Sequence, residues 1–175
     1  MIRGRDLQRD ELEALWRIDR SEVIANVYHA QDGGLVLMPE YHNMTGWLPG
    51  EEGAFMPLLL ECFERAGWFY GLFDEGTLIG AAVLESKFIG KNKDRLQLKF
   101  LYVSSACRRQ GLGQKLFELA RLEARTRGAK GLYISATPSE NTINFYLRLG
   151  CTLTLEPDPE LFELEPEDIH LECAI

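Results

Sequence analysis

Apolar and polar residues alternate from Leu96 and then run almost continuously apolar to Val103, the pattern of a strand passing from a half-covered to a covered position. A short polar turn, Ser104 to Cys107, leads into Arg108-Arg109-Gln110-Gly111-Leu112-Gly113, after which Leu112, Leu116, Leu119 and Ala120 recur at helical spacing. The pattern predicts a central strand, a basic glycine turn and a helix that ends near Arg127-Gly128, where glycine is a natural stop. Upstream, Trp68–Asp74 and Thr77–Phe88 read as strands joined by a tight Glu75-Gly76 turn, giving three consecutive antiparallel strands with the central one. Downstream, Leu132–Ala136 is a short apolar strand reached through the crossover helix and therefore parallel to the central strand. Ser139 then caps a helix with Thr142, Phe145, Tyr146 and Leu149 on one face; Gly150 closes it, and Thr152–Leu155 and Ile169–Cys173 read as strands.

The N-terminal third is less regular. A short strand at Ile2–Arg5 precedes a helix from Asp10 to Asp19, with Asp10 and Glu13 as a capping box. Glu22–Ala30 and Gly34–Met38 flank Gln31-Asp32-Gly33-Gly34 as a hairpin. Pro39–Gly53, rich in glycine, proline and aromatics, reads as a loop, and Phe55, Leu58, Leu59, Cys62 and Ala66 mark a second helix with Pro57 in its first turn. The whole predicts an α+β fold, a mixed but mostly antiparallel central sheet of about seven strands flanked by helices. One domain spans residues 1–175, with a hairpin and loop elaboration at about 22–53.

Charge narrows the partners. The formal net charge of −8 argues against nucleic acid, whose affinity rests on phosphate neutralisation. From Lys87 to Lys115, however, eight basic residues stand against one acid, a segment of +7 in a chain whose remainder carries −15. A basic island suits a phosphorylated cofactor, and an acidic remainder suits a cationic substrate. Glu156–Glu172 holds eight acids, three prolines and no Lys or Arg, and reads as a solvated excursion. No apolar run approaches a membrane span, and Met-Ile-Arg-Gly-Arg-Asp lacks the apolar core of a signal peptide, so the expected location is cytoplasmic. Cys62, Cys107, Cys151 and Cys173 show no metal-ligand spacing, and no metal is expected.

The first turn of a helix leaves N–H groups unpartnered at the positive end of its dipole, and glycines there let a phosphate approach the main chain. A dinucleotide fingerprint would need glycine where Leu116 stands, and a P-loop would need Gly-Lys-Ser/Thr. What remains, Arg108-x-x-Gly111-x-Gly113 behind a strand ending in Val103, resembles the acyl-CoA pyrophosphate loop of the GNAT superfamily of CoA-dependent N-acyltransferases. Ser139-Glu-Asn-Thr-Ile-Asn-Phe-Tyr146-Leu-Arg-Leu-Gly150 is similar to the second family signature, a helix bearing a tyrosine followed by Lys/Arg-x-Gly. Together the two cover roughly Phe73 to Cys151.

The resemblance implies acetyl-CoA as co-substrate and an N-acetyltransferase acting on a primary amine. In that light Arg108, Arg109, Gln110, Gly111, Leu112, Gly113 and Gln114 would cradle the pyrophosphate. The edge Leu101, Tyr102 and Val103 would pair with the pantetheine, Ser139 and Asn141 would contact the cofactor, and Tyr146 would protonate the leaving thiolate. Family members often carry a glutamate base on the central strand, but here it offers Gln97 and Lys99, so Glu85 on the preceding strand is the expected base, followed by His29 and His42. Ser139 stands where asparagine is usual and Cys151 where an aromatic is usual. The expected acceptor is a small cationic molecule; a non-catalytic acyl-CoA sensor and a protein lysine or N-terminal acetyltransferase are the alternatives, and homodimerisation stays open.

Overall fold

The computed structural model describes residues 1–175. In chain order it contains β1 (Arg3–Asp6), a 3₁₀ helix (Arg9–Arg17), β2 (Glu22–Gln31), β3 (Gly34–Met44), α1 (Glu51–Glu64), β4 (Trp68–Asp74), β5 (Thr77–Ile89) and β6 (Arg95–Val103). A single 3₁₀ turn (Ser105–Cys107) leads to α2 (Leu112–Thr126), β7 (Gly131–Ala136), α3 (Glu140–Arg148), β8 (Thr152–Leu153), α4 (Pro159–Leu164) and β9 (Ile169–Ala174). Seven strands form one sheet in the order β1-β4-β5-β6-β7-β9-β8, while β2 and β3 pair separately as a hairpin. All neighbours in the large sheet are antiparallel except β6 and β7. The fold is the mixed, mostly antiparallel sheet expected.

Each sheet face has its own core. On one, Leu116, Phe117, Ala120 and Ala124 of α2 and Ile143 of α3 pack on Leu96, Leu98, Leu132 and Ile134. On the other, Leu12, Leu15 and Ile18 around the 3₁₀ helix and Leu59 and Cys62 of α1 pack on Phe69, Val83 and Phe100. Each large side chain buried in this way contributes about 1.5–3 kcal/mol. At the β5–β6 join Val83 faces Phe100 but Leu84 faces Leu98, so Lys99 is an extra, bulged residue. The bulge lets β6 supply Leu98 to the α2 core and Phe100 to the opposite one.

Parallel pairing between β6 and β7 covers only Arg95↔Gly131, Leu96↔Leu132 and Gln97↔Tyr133. Beyond Gln97 the strands diverge, and Leu98–Val103 have no strand on that side. This V-shaped gap positions the site.

Four local expectations are corrected. The first helix is 3₁₀, and its start is held by Glu11, whose carboxylate accepts from the Gln8 N–H at 2.9 Å, not by Asp10 with Glu13. Arg5 fixes that carboxylate through two contacts of 2.6 and 2.7 Å. Pro39–Met44 belongs to β3 and is not loop: on an edge strand proline forfeits no ladder bond, and because most side chains there are exposed no alternation marks it. Pro57 lies inside α1 rather than in its first turn. The carbonyl its ring faces one turn back belongs to Gly53, whose missing side chain leaves open space around it. The acidic excursion contains α4, capped by Asp158, whose Oδ1 accepts from Glu160 N–H (3.1 Å) and Leu161 N–H (3.2 Å).

Gly131 begins the short paired stretch behind the gap, where a Cβ would meet Arg95 Cδ at 2.7 Å and the Cys173 carbonyl at 3.0 Å. Gly131→Val is expected to cost about 1–3 kcal/mol by overpacking, lowering the melting temperature by roughly 2–12 °C in a thermal circular-dichroism scan.

Candidate active site

The gap opens into a cleft of about 1040 Å³ walled by Leu98–Tyr102 of β6, the start of α2, α3, the end of β7 and the link Arg20–Ile24. At its α2 end, Arg109 (φ 60°) and Gly111 (φ 77°) both adopt left-handed backbone just before the helix begins, a conformation in which successive main-chain N–H groups can converge on an anion. A Cβ on Gly111 would meet nothing within 4 Å, whereas one on Gly113 would press on Phe145 at 3.3 Å. Arg109 and Arg148 line this end. Bare amides, a helix N-terminus and two guanidinium groups suit a diphosphate, so the residues present fit the phosphorylated part of coenzyme A.

Arg108 has a different task. Its Nε donates to the Val103 carbonyl (2.9 Å) and its Nη1 to the Ser21 carbonyl (3.0 Å), with Nη2 at 3.4 Å from the Asp19 carbonyl. The guanidinium braces the end of β6 and the link into β2.

Tyr146 projects from α3 into the cleft and is 5% exposed. Its ring packs against Phe145 (5.0 Å) and Phe117 (6.0 Å), and its hydroxyl makes no hydrogen bond within the protein. Burial, then the neighbouring Tyr102 and Cys151, push its pKa well above the ordinary phenol value.

Of the other expected residues, Leu101, Tyr102, Arg108, Arg109, Gly111, Leu112, Gly113, Gln114 and Asn141 line the cleft. Val103, Gln110 and Ser139 do not. Ser139, 1% exposed, caps α3: its Oγ accepts from Thr142 N–H at 3.3 Å and donates to Thr142 Oγ1 at 2.9 Å. The Asn141 amide donates to Glu22 Oε1 at 3.0 Å.

Glu85, the expected base, is not brought to the cleft. It is 5% exposed and accepts from Arg65 at 2.9 Å and from the Ser86 N–H at 2.9 Å, with Lys99 Nζ 3.8 Å away. Burial would raise its pKa, but Arg65, the Ser86 amide and Lys99 outweigh burial and hold it below the ordinary value. A buried carboxylate committed to two cations is a poor proton acceptor. His29 and His42 sit half-exposed on the hairpin, both against Glu40, and line no part of the cleft.

Sequence reasoning missed the opposite end of the cleft. Arg20, with a side chain 9% exposed, donates to Glu51 at 2.6 Å and lies 4.8 Å from the Trp47 ring and 5.2 Å from the Tyr102 ring. Ser135 and Thr137, at the end of β7, complete that wall. Arg20 follows the first helix with no motif around it, so only the fold could bring it here.

Residues 36–151 match the model of the acetyltransferase (GNAT) family. The chain belongs to that family, whose members transfer an acetyl group from acetyl-CoA. A nourseothricin acetyltransferase superposes with a TM-score of 0.73 at 22% identity, covering 99% of this chain and 98% of that one. A protein of Bacillus anthracis described as a streptothricin acetyltransferase, in complex with acetyl coenzyme A, gives 0.70 at 15% identity over 100% of both chains. PaiA N-acetyltransferase of Thermoplasma acidophilum, in complex with coenzyme A, gives 0.63 at 17% identity over 100% and 99%. Comparison with curated proteins finds no match.

Gly111→Val puts a β-branched residue at φ 77° and must reshape the turn. The expected result is at least a roughly tenfold loss of coenzyme A affinity by titration calorimetry; unchanged affinity would mean that the turn is merely structural.

Proposed function

We propose that the chain acetylates a primary amine on a small cationic molecule, with Tyr146 as the acid that protonates the departing sulfur. The observation that carries this reading is the convergence, in one cleft, of the bared amides after Arg108, the unpaired edge of β6 and the buried Tyr146 hydroxyl.

Acetyl-CoA supplies an activated acyl thioester. The N–H groups of Arg109 to Gln114 would hold its diphosphate, and Leu101–Val103 of β6 would receive its amide-bearing arm as an added strand. Main-chain N–H groups beside the Lys99 bulge are suited to stabilising negative charge on the reacting carbonyl oxygen. Tyr146 would then give its proton to sulfur. Burial raises the proton affinity of a thiolate in the same apolar surroundings as it raises that of the phenol, so the two stay matched.

Charge distribution supports a cationic acceptor. Five cations and one carboxylate line the cleft, but Arg108 is committed to main-chain carbonyls and Arg109 and Arg148 would serve the phosphate end. At the other end Arg20 pairs with Glu51 and Lys99 shares Glu85 with Arg65, while Glu22, bonded to the neutral Asn141 amide, keeps its charge among the lining residues and would attract an ammonium. The structural likeness to a nourseothricin acetyltransferase and a streptothricin acetyltransferase supports an acceptor of that small-molecule kind.

A thiol-release assay with acetyl-CoA across polyamines, amino-sugar antibiotics, amino-acid derivatives and lysine peptides tests this. Turnover is expected with a small polycationic amine; turnover with peptides alone would overturn the acceptor class. Tyr146→Phe is expected to lower kcat at least about tenfold while leaving coenzyme A affinity intact, and an unchanged kcat would remove its acid role.

A further inference from the structure

We propose that Arg20 determines acceptor specificity: the free edge of its guanidinium receives a neutral oxygen, hydroxyl or amide carbonyl, that the acceptor carries beside its amine. The inference rests on the transfer reading above and narrows the acceptor from any small cationic amine to an oxygen-bearing one.

A guanidinium carries five N–H donors and is rarely withdrawn from water unless they are met. The Arg20 side chain is 9% exposed, yet a single bond is made, from Nη1 to Glu51 Oε1 at 2.6 Å; Nε and Nη2 make none within the protein. These donors are not sealed. The side-chain nitrogen and oxygen atoms that are both shut off from solvent and unpartnered are Arg121 Nε and Ser135 Oγ. Arg20 lines the cleft, as does Tyr102, whose ring centre lies 5.2 Å from the guanidinium carbon, so the donors still within reach of solvent open there.

The guanidinium is also held in place. It lies 4.8 Å from the Trp47 ring, which is itself fixed by its Nε1 donating to the Ile18 carbonyl at 3.0 Å and by stacking on Phe100 at 5.8 Å. Glu51 is tied down in turn, its Oε2 accepting from the Leu48 N–H at 2.8 Å. Donors fixed in advance cost a ligand no reorganisation. The ring contacts and the Glu51 bond account for where Arg20 sits; they give its remaining N–H groups nothing to bind.

Charge selects the partner. The positive charge of Arg20 is already matched by Glu51, so a carboxylate from the acceptor would bring a second negative charge to a largely buried pair. A hydroxyl or carbonyl oxygen accepts from the guanidinium and leaves that balance intact. Glu22, two residues along the same wall, remains available to an ammonium. The acceptor class is therefore an amino alcohol, an amino sugar or an amino-acid amide.

Cadaverine, lysinol, lysinamide and lysine share one carbon skeleton and differ only in bearing no oxygen, a hydroxyl, an amide carbonyl or a carboxylate; cyclohexylamine and glucosamine repeat the comparison on a ring. The test measures kcat/KM for each at saturating acetyl-CoA, corrected for the neutral-amine fraction, and affinity for the coenzyme A complex by calorimetry. In the wild type lysinol or lysinamide, and glucosamine, should exceed their oxygen-free counterparts at least about tenfold, because without the oxygen the donors stay unpaired. Lysine should gain nothing over lysinamide. The double variant Arg20→Met with Glu51→Gln removes both members of the ion pair, and its ratio should fall to about one while coenzyme A affinity is kept. Arg20→Lys, which keeps the charge but not the planar fork, should lower the ratio as well and serves if the double variant does not fold. Equal values across both wild-type series, a preference for lysine, or a ratio that survives the substitutions overturns the proposal. Because calorimetry needs no turnover, failure of the wild type to acetylate any amine would sink the transfer reading separately.

Discussion

The site depends on a ladder that stops. β6 and β7 pair over three residues and part, and the main-chain N–H and C=O groups of Leu98–Val103 on that side have no strand to meet. Main-chain groups withdrawn from both sheet and bulk water are costly, so an amide-bearing ligand that completes the ladder gains hydrogen bonds already oriented for it. The Lys99 bulge makes the divergence compatible with two well-filled cores, because it turns Phe100 to the face opposite Leu98.

Around this gap the charges are sorted. Arg109 and Arg148 line the cleft without a carboxylate partner, while Arg20 is paired with Glu51 and Lys99 shares Glu85 with Arg65. The cleft is therefore electrically polarised along its length, although the chain as a whole is acidic. A segment of +7 inside a chain of −8 was the trace of that polarity in the composition.

The central unit was legible because each local signal agreed with its neighbours. The β6 pattern, the glycines at 111 and 113, and the spacing to Tyr146 all pointed to one arrangement, and those residues do share a cleft. Glu85 shows the limit. A strand glutamate near the centre of the sheet reads as a base, but Arg65 and Lys99, which disarm it, come from the residue that caps α1 and from the bulge in β6, separations no local pattern encodes. In β3 the alternation failed for a simpler reason: a strand exposed on most positions has no hydrophobic period to show.

Arg108 ties together three carbonyls from segments more than eighty residues apart in the chain, those of Val103, Ser21 and Asp19. The same link leads into β2, which is fastened to α3 through Asn26 to Glu140 and Tyr28 to Asn144, both 2.8 Å. Loop, hairpin and tyrosine-bearing helix are thus one mechanical frame. A ligand pressed against any one part of that frame would bear on the others, so occupancy of the two ends of the cleft would be coupled rather than independent.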